Sequence, residues 1–258
     1  MTENLKTVLD FYAEAGIDEV IGDSPVNRFE LPAVSTPQRR SPLQRSATSH
    51  VAQKPTVNQA INTTLSDVSA LVNQCSSIDQ LHKALSGFDG CSLKKLATKT
   101  VFALGNPDAD LMVIDRPPSS EGDRSGMPFA GPAGQLLTKM LASIGLKEGD
   151  FYASSLIPWR PPGGRAPTNE EQMICMPFIK RHIELANPKI ILLCGEAAAP
   201  LLEKKSGINR LRGQWAQMTF GKKTIPAIPI FHPSFLMDHP ASKKLAWADL
   251  LELKAALV

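Results

Sequence analysis

Four short apolar runs, each followed by a segment with helical periodicity, constrain the fold of this chain more than any other feature. The runs span residues 111–114, 151–157, 189–194 and 225–231. Strands that alternate with helices indicate a mostly parallel sheet that is covered on both faces. The sequence therefore predicts an α/β fold with three layers, α/β/α. Because Pro226 and Pro229 cannot donate hydrogen bonds, the fourth strand is expected at an edge of the sheet or to end early.

Helices are predicted over residues 133–145, 168–186 and 241–257, where apolar side chains recur at helical spacing. The second of these begins with a capping box, because Thr168 is followed by Glu171 three positions later.

Polar side chains stand where three of the predicted strands end. Asp115 follows the first run, Ser155 lies near the end of the second, and His232 follows the fourth. Ligands of parallel sheets bind beyond the carboxyl ends of the strands. These three side chains are therefore the first candidates for a functional site.

The chain is predicted to have four parts. Residues 23–60 are rich in Pro, Ser, Thr, Gln and Arg, which is typical of a disordered linker. Before it, residues 1–22 can form a short amphipathic helix, either a peptide for a protein partner or a flap on the core. Residues 61–86 are a helical lead-in, and residues 87–258 form the α/β domain.

Composition excludes several classes of protein. No apolar run approaches the length of a membrane span, and the first residues lack the features of a secretory signal. We therefore expect a cytoplasmic protein, a monomer without membrane contact. The net charge is only +3, but residues 203–258 carry nine Lys or Arg against four acids. Such a surplus is typical of a surface that meets phosphates, or of a solvated face.

Four sequence blocks resemble the motifs of a known family. They are GNPDADLM at 105–112, EGDRSGMPFAGPAGQLL at 121–137, RPPGGRAPT at 160–168 and HPSFL at 232–236. In this order they resemble the type-four branch of the uracil-DNA glycosylase superfamily, over about residues 88–255. The resemblance implies an enzyme that flips deoxyuridine out of DNA and cleaves its N-glycosidic bond.

The resemblance also implies roles for single residues. Phe129 matches the ring that stacks on the flipped base, and His232 matches the donor to the uracil carbonyl as negative charge develops there. Leu236 is the best candidate for an exposed wedge that fills the gap left by the base. The residues expected to contact the DNA backbone are Gly131, Gln135, Ser234 and Arg165.

The catalytic loop departs from the family pattern. The family has Gly-Glu-x-Pro-Gly where this chain has Asp115, Arg116, Pro117, Pro118 and Ser119. Arg116 replaces the acid that is expected to place or activate water. Asp115 can supply a carboxylate one residue earlier, and Arg116 can stabilise the departing base or a phosphate. Glu121 and Asp123 remain alternatives for the acid.

The base-reading position also departs from the family. An Asn normally reads the uracil edge with a donor and an acceptor, but the aligned residue is Ser155. One hydroxyl cannot reproduce that pair, and its loss weakens base recognition by about 1–3 kcal/mol. Pro118 and Ser119 complete the expected base-binding wall.

Only two of the four cysteines match the ligands of the iron–sulfur cluster that the branch usually holds. These are Cys91 and Cys175, whereas Phe88 and Trp159 stand at the other two positions. Because two thiolates cannot complete a four-cysteine shell, we predict no cluster and no metal. The aromatic rings are expected to fill the vacated volume.

Two functions fit this combination of preserved and altered motifs. The protein is either a uracil-DNA glycosylase with altered loop chemistry, acting on uracil-containing DNA, or an inactive homologue that binds DNA or a protein. A different small-molecule pocket on the same fold is a third possibility, since a fold does not determine a function.

Overall fold

Six strands form one sheet in the computed structural model, which describes residues 57–221 and 223–257. The strands are β1 (Ala103–Gly105), β2 (Leu111–Asp115), β3 (Phe151–Ser155), β4 (Ile190–Cys194), β5 (Ala216–Phe220) and β6 (Lys223–Ile230). Their order across the sheet is β1-β3-β2-β4-β6-β5. Strands β3, β2, β4 and β6 run parallel to one another, whereas β1 and β5 pair antiparallel at the two edges.

Helices cover both faces of this sheet. They are α1 (Val57–Gln74), α2 (Ile78–Gly87), α3 (Ser120–Ser125), α4 (Pro132–Ser143), α5 (Asn169–Ala186), α6 (Ala198–Leu201), α7 (Ile208–Leu211), α8 (Pro233–Asp238) and α9 (Lys243–Leu257). The predicted capping box of α5 is confirmed. The Thr168 hydroxyl accepts from the Glu171 amide, and the Glu171 carboxylate accepts from the Thr168 amide.

The core lies in two apolar layers, one on each face of the sheet. Strand β2 shows this alternation, since Met112 and Ile114 belong to one layer and Leu111 and Val113 to the other. Helices α1, α2 and α5 contribute to the first layer, and α4 and α9 to the second. The predicted three-layer α/β/α fold is therefore confirmed.

Strand β6 corrects one expectation, because it is not an edge strand. It lies between β4 and β5, with Pro229 opposite Leu193 and Pro226 opposite Gln217. A proline withholds a single N–H but still offers its carbonyl, and Pro229 accepts a hydrogen bond from the Gly213 amide. The strand therefore tolerates both prolines in an interior position.

The N-terminal predictions fall largely beyond the described ranges. The predicted helix at 1–22 and the linker up to residue 56 lie outside them, while α1 includes the last four residues assigned to the linker. Helices α1 and α2 both pack on α5, and the predicted domain boundary at residue 87 stays a prediction. No helix in the described ranges is long and apolar enough to cross a membrane.

Candidate active site

The candidate site lies at the carboxyl edge of the sheet, where the chain order reverses. Strand β2 has β3 on one side and β4 on the other, so the loops that follow diverge and leave a crevice. Asp115 ends β2, and Ser155 ends β3 directly opposite it. His232 follows β6 and reaches Asp115, with 2.8 Å between its Nε2 and Asp115 Oδ1. The structure thus brings together all three strand-end residues.

Asp115 connects three segments of the site. Its Oδ1 accepts from the Arg116 amide at 2.8 Å as well as contacting His232, and its Oδ2 accepts from the Phe129 amide at 2.7 Å. The residue is only 6% exposed. Hydrogen bonds from several donors fix the orientation of a carboxylate. One buried acid therefore fixes the positions of the catalytic loop, the base-binding loop and the histidine relative to one another.

The hydrogen bonds of His232 assign its tautomer. Its Nδ1 accepts from the Ser234 amide at 3.1 Å and lies 2.8 Å from the Ser234 hydroxyl. A neutral imidazole whose Nδ1 accepts carries its proton on Nε2. That Nε2–H donates to Asp115. The donor that the resemblance assigns to the uracil carbonyl therefore contacts a carboxylate in this conformation.

Phe129 lines the same crevice in an unusual backbone conformation. Its φ of 51° lies in the left-handed region, and its ring is nearly parallel to that of His232, with 5.9 Å between the centroids. A Cβ at Gly134 would overlap the Phe129 carbonyl oxygen, so helix α4 can approach this loop only with glycine there. Local strain of this kind persists where surrounding contacts hold it.

The cavity between these residues is small. It measures about 30 Å³ and is lined by residues of both loops, among them Pro118, Ser119 and Phe129, together with Asp115 and His232. That volume accommodates one or two water molecules. A pyrimidine ring needs more room, so side chains must move before a base can enter.

The Ser155 hydroxyl is already engaged inside the protein. It lies 2.8 Å from both the Arg116 and the Ile157 carbonyl oxygens. With a single proton to donate and both neighbours acceptors, this hydroxyl is shared between them. The side chain therefore stabilises the turn after β3.

Of the three acids considered for catalysis, only Asp115 contacts His232. The Asp123 carboxylate accepts from the amide and the hydroxyl of Thr98, both at 2.8 Å, and so ties α3 to the preceding segment. Glu121 is exposed, and its carboxylate lies beside Gly131, where a Cβ would overlap it.

The residues that are predicted to contact the DNA backbone differ in whether their side chains already have a hydrogen-bond partner within the protein. Gln135 is exposed on α4, and Gly131, with a φ of 81°, directly precedes that helix. Ser234 is bonded to His232. Arg165 makes a two-pronged ion pair with Glu171, with distances of 2.8 and 2.6 Å.

The expectation that Leu236 is an exposed wedge is wrong. Leu236 is 1% exposed and packs with Phe231 and Ala246. The segment forms helix α8 rather than an open loop, and the helical turn directs Leu236 inward. Met237, the next residue, is 45% exposed.

Gly195 is a site residue whose importance the sequence analysis missed. Gly195 follows β4, and its φ is 61°. Because β4 lies between β6 and β2, the side chain of His232 must cross the end of β4 to reach Asp115. A Cβ at this position would lie 2.7 Å from the His232 Cβ. The missing side chain therefore provides the space for the histidine.

Replacement of Gly195 by Ala is expected to displace His232. The left-handed backbone alone costs about 1–2 kcal/mol of stability for a residue with a Cβ, and the clash adds to it. Gly221 is the matched control, because its φ is 57° but its Cβ would meet nothing. Urea unfolding should show a larger loss for Gly195→Ala than for Gly221→Ala. Equal losses would contradict the steric role.

Comparison with known proteins decides the family. A family model described as the uracil DNA glycosylase superfamily matches residues 102–251. The chain belongs to this superfamily. It is 38% identical to the type-4 uracil-DNA glycosylase of Thermotoga maritima over 169 residues, which are 64% of this chain and 86% of the relative.

Two further relatives match a similar length of this chain. The type-4 uracil-DNA glycosylase of Archaeoglobus fulgidus is 32% identical over 182 residues, covering 69% of this chain and 92% of that protein. A DNA polymerase of Bacillus phage SP01 is 28% identical over 168 residues, which are 65% of this chain but 18% of the phage protein.

The relatives from Thermotoga maritima and Archaeoglobus fulgidus contradict the prediction that the chain has no iron–sulfur cluster. Both are type-4 enzymes, the branch for which the resemblance implies a four-cysteine cluster. The side chains present supply only part of such a shell. Cys91 and Cys175 are buried and share a hydrogen bond that lowers the pKa of Cys91 to about 7, while Phe88 and Trp159 stack with 6.5 Å between ring centroids.

Among the described residues, no three His, Cys, Asp or Glu side chains are grouped as a metal site. A four-cysteine cluster needs two more thiolates than this pair provides. Family membership therefore indicates the cluster only weakly, and no step of the proposed reaction passes through it.

Proposed function

We propose that the protein excises uracil from DNA by flipping the nucleotide into the crevice and hydrolysing its N-glycosidic bond. The observation that carries this proposal is the buried contact between Asp115 and His232 beside the Phe129 ring. It supplies a carboxylate, a hydrogen-bond donor and a stacking surface within one site. Those three elements are what base hydrolysis requires.

In the proposed reaction, the entering base displaces the side chains that close the small cavity. The His232 Nε2–H turns from Asp115 to the uracil O2 and stabilises the negative charge that develops there. Asp115 then takes a proton from water, whose oxygen forms the new bond to C1′ as the bond between C1′ and N1 breaks. The electron pair of that bond leaves with the uracil. The positive charge of Arg116 lies beside this reaction.

A second candidate function is DNA binding without catalysis. It is favoured by the engagement of both polar groups that should read the base. His232 Nε2–H is bonded to Asp115, and the Ser155 hydroxyl faces two carbonyls. The cavity of about 30 Å³ also excludes a base in this conformation.

Removal of the His232 side chain separates these candidates. For a glycosylase, His232→Ala is expected to lower single-turnover release of uracil by about 100-fold or more, the effect of losing one donor to a developing oxyanion. His239→Ala is the matched control, since His239 is an exposed histidine that stacks on Phe235 at the end of α8.

Two further outcomes bear on the altered loop. A native protein that binds uracil-containing DNA without releasing base supports the second candidate. Activity that appears only in the Arg116→Glu, Ser155→Asn double variant indicates that the scaffold is competent and that the loop changes removed the chemistry.

The proposed partner is uracil-containing DNA. The monomeric state, the cytoplasmic location and a protein partner for residues 1–22 stay predictions.

A further inference from the structure

A second cavity opens beside the base cavity and is much larger. It measures about 320 Å³ and lies between the loop after β2 and the loop that connects β3 to α5. Both cavities are lined by the segment from Arg116 to Ser119. A strand that places one nucleotide in the base cavity therefore has its backbone close to this larger space.

The charges that line the larger cavity are mostly positive. Arg116, Arg160 and Arg165 all contribute, against a single carboxylate from the exposed Glu196. Arg165 is neutralised by its ion pair with Glu171. In the part of the chain that the structure describes, the Arg116 and Arg160 side chains have neither an ion pair nor a hydrogen bond. Two arginines whose side chains have no such partner thus line the same space.

The walls of this cavity are stiff. Prolines contribute on both sides, with Pro117 and Pro118 on one loop and Pro161 and Pro167 on the other. Because proline fixes φ, both loops lose little conformational freedom when a ligand binds. The planar guanidinium of arginine, with its fixed fork of donors, matches the geometry of a phosphate.

We propose that the cavity between Arg116 and Arg160 binds a phosphate of the DNA strand next to the flipped nucleotide. This inference rests on the proposed function for its ligand, a nucleic-acid strand, but not on base release. Under this proposal Arg116, which stands where the family has an acid, binds a DNA phosphate. This phosphate is separate from the one expected at Ser234, which lies on α8 and lines neither cavity.

The test is the salt dependence of binding to a duplex that carries 2′-fluoro-deoxyuridine, whose electron-withdrawing fluorine resists cleavage of the N-glycosidic bond, so this measurement requires no catalysis. Arg116→Gln and Arg160→Gln are each expected to lower the slope of log K against log salt by about 1, which weakens binding roughly tenfold at 0.1 M salt. Arg124→Gln is the matched control, since Arg124 is exposed on the neighbouring helix α3 but does not line the cavity.

The same titration on strands with and without a 5′-phosphate identifies the source of the phosphate. A loss on both strands indicates a phosphodiester within the chain, and a loss confined to the phosphorylated strand indicates a terminal phosphate. Slopes that stay at the native value, or that fall no more than in Arg124→Gln, would overturn the inference. Lowered slopes in both variants, together with a native protein that releases no uracil, would instead count against the proposed function alone.

Discussion

Replacement of Asp115 by Asn is expected to lower uracil release by about 100- to 10,000-fold, the usual contribution of a positioned acid or base. The amide preserves the size of the side chain but cannot take a proton from water. An asparagine side chain has one acceptor oxygen, whereas both carboxylate oxygens of Asp115 are used. Oδ2 accepts from the Phe129 amide, and Oδ1 accepts from the Arg116 amide and contacts His232. Single-turnover kinetics with excess protein measure this loss directly.

Asp123→Asn is the matched control for this prediction. Asp123 is also a buried acid near the catalytic loop, but its carboxylate bonds to Thr98 and not to His232. Its replacement should lower the melting temperature while uracil release by the folded protein stays near the native rate. Native activity in Asp115→Asn would assign the acid to another residue, of which Glu121 is the next to test.

Acidification from pH 7 to pH 5 is expected to destabilise the fold through His182. Burial lowers the pKa of this imidazole to about 3 from an ordinary value of 6.5, with a smaller contribution from His82. Below pH 6.5 the unfolded chain binds a proton that the folded protein does not bind. Stability is therefore lost as the pH falls from 6.5 towards 3, by about 2 kcal/mol at pH 5.

The surroundings of His182 explain why it stays neutral. It is 2% exposed, its Nε2 lies 3.0 Å from the Tyr152 hydroxyl, and its Nδ1 lies 3.2 Å from the Ser154 hydroxyl. The ring also stacks on Phe102 with 4.4 Å between centroids. Among the residues that the structure describes, no carboxylate is hydrogen-bonded to this ring, so a positive charge there would lack a counter-ion.

Two variants separate the titration of His182 from its packing. His182→Asn should be less stable than the native protein at pH 7, but the further loss between pH 7 and pH 5 should shrink by about 2 kcal/mol. Tyr152→Phe removes a hydrogen bond and leaves the buried imidazole, so it should keep the native pH dependence. Urea unfolding at both pH values provides the measurement. Parallel losses in His182→Asn and the native protein would contradict this assignment.

The fold was predictable where hydrophobic periodicity is strong. The buried strands β2, β3 and β4 and the capped helix α5 follow directly from apolar runs and from the pair Thr168 and Glu171. Strands β1 and β5 were missed because β1 has three residues and β5 mixes exposed with buried positions. Their pairing energy comes from neighbours that are distant in sequence, which a local pattern does not record.

The site was predictable at the level of strand ends but not of side-chain partners. The parallel sheet explains why Asp115 and His232 lie at the same edge although 117 positions separate them. The inward turn of Leu236, by contrast, depends on the packing of α8 against Phe231 and Ala246. The space left by Gly195 is likewise a property of three dimensions, because His232 lies on a different strand connection.

We propose that this chain hydrolyses the N-glycosidic bond of deoxyuridine at the site formed by Asp115 and His232. The most direct measurement is the intact mass of a uracil-containing oligonucleotide after incubation with excess native protein, with free uracil quantified in the same sample. We predict a strand that has lost uracil and gained a hydroxyl group, an equal amount of free uracil, and formation of both products at least about 100-fold slower with Asp115→Asn. A strand of unchanged mass that is nevertheless bound by the native protein would contradict the claim.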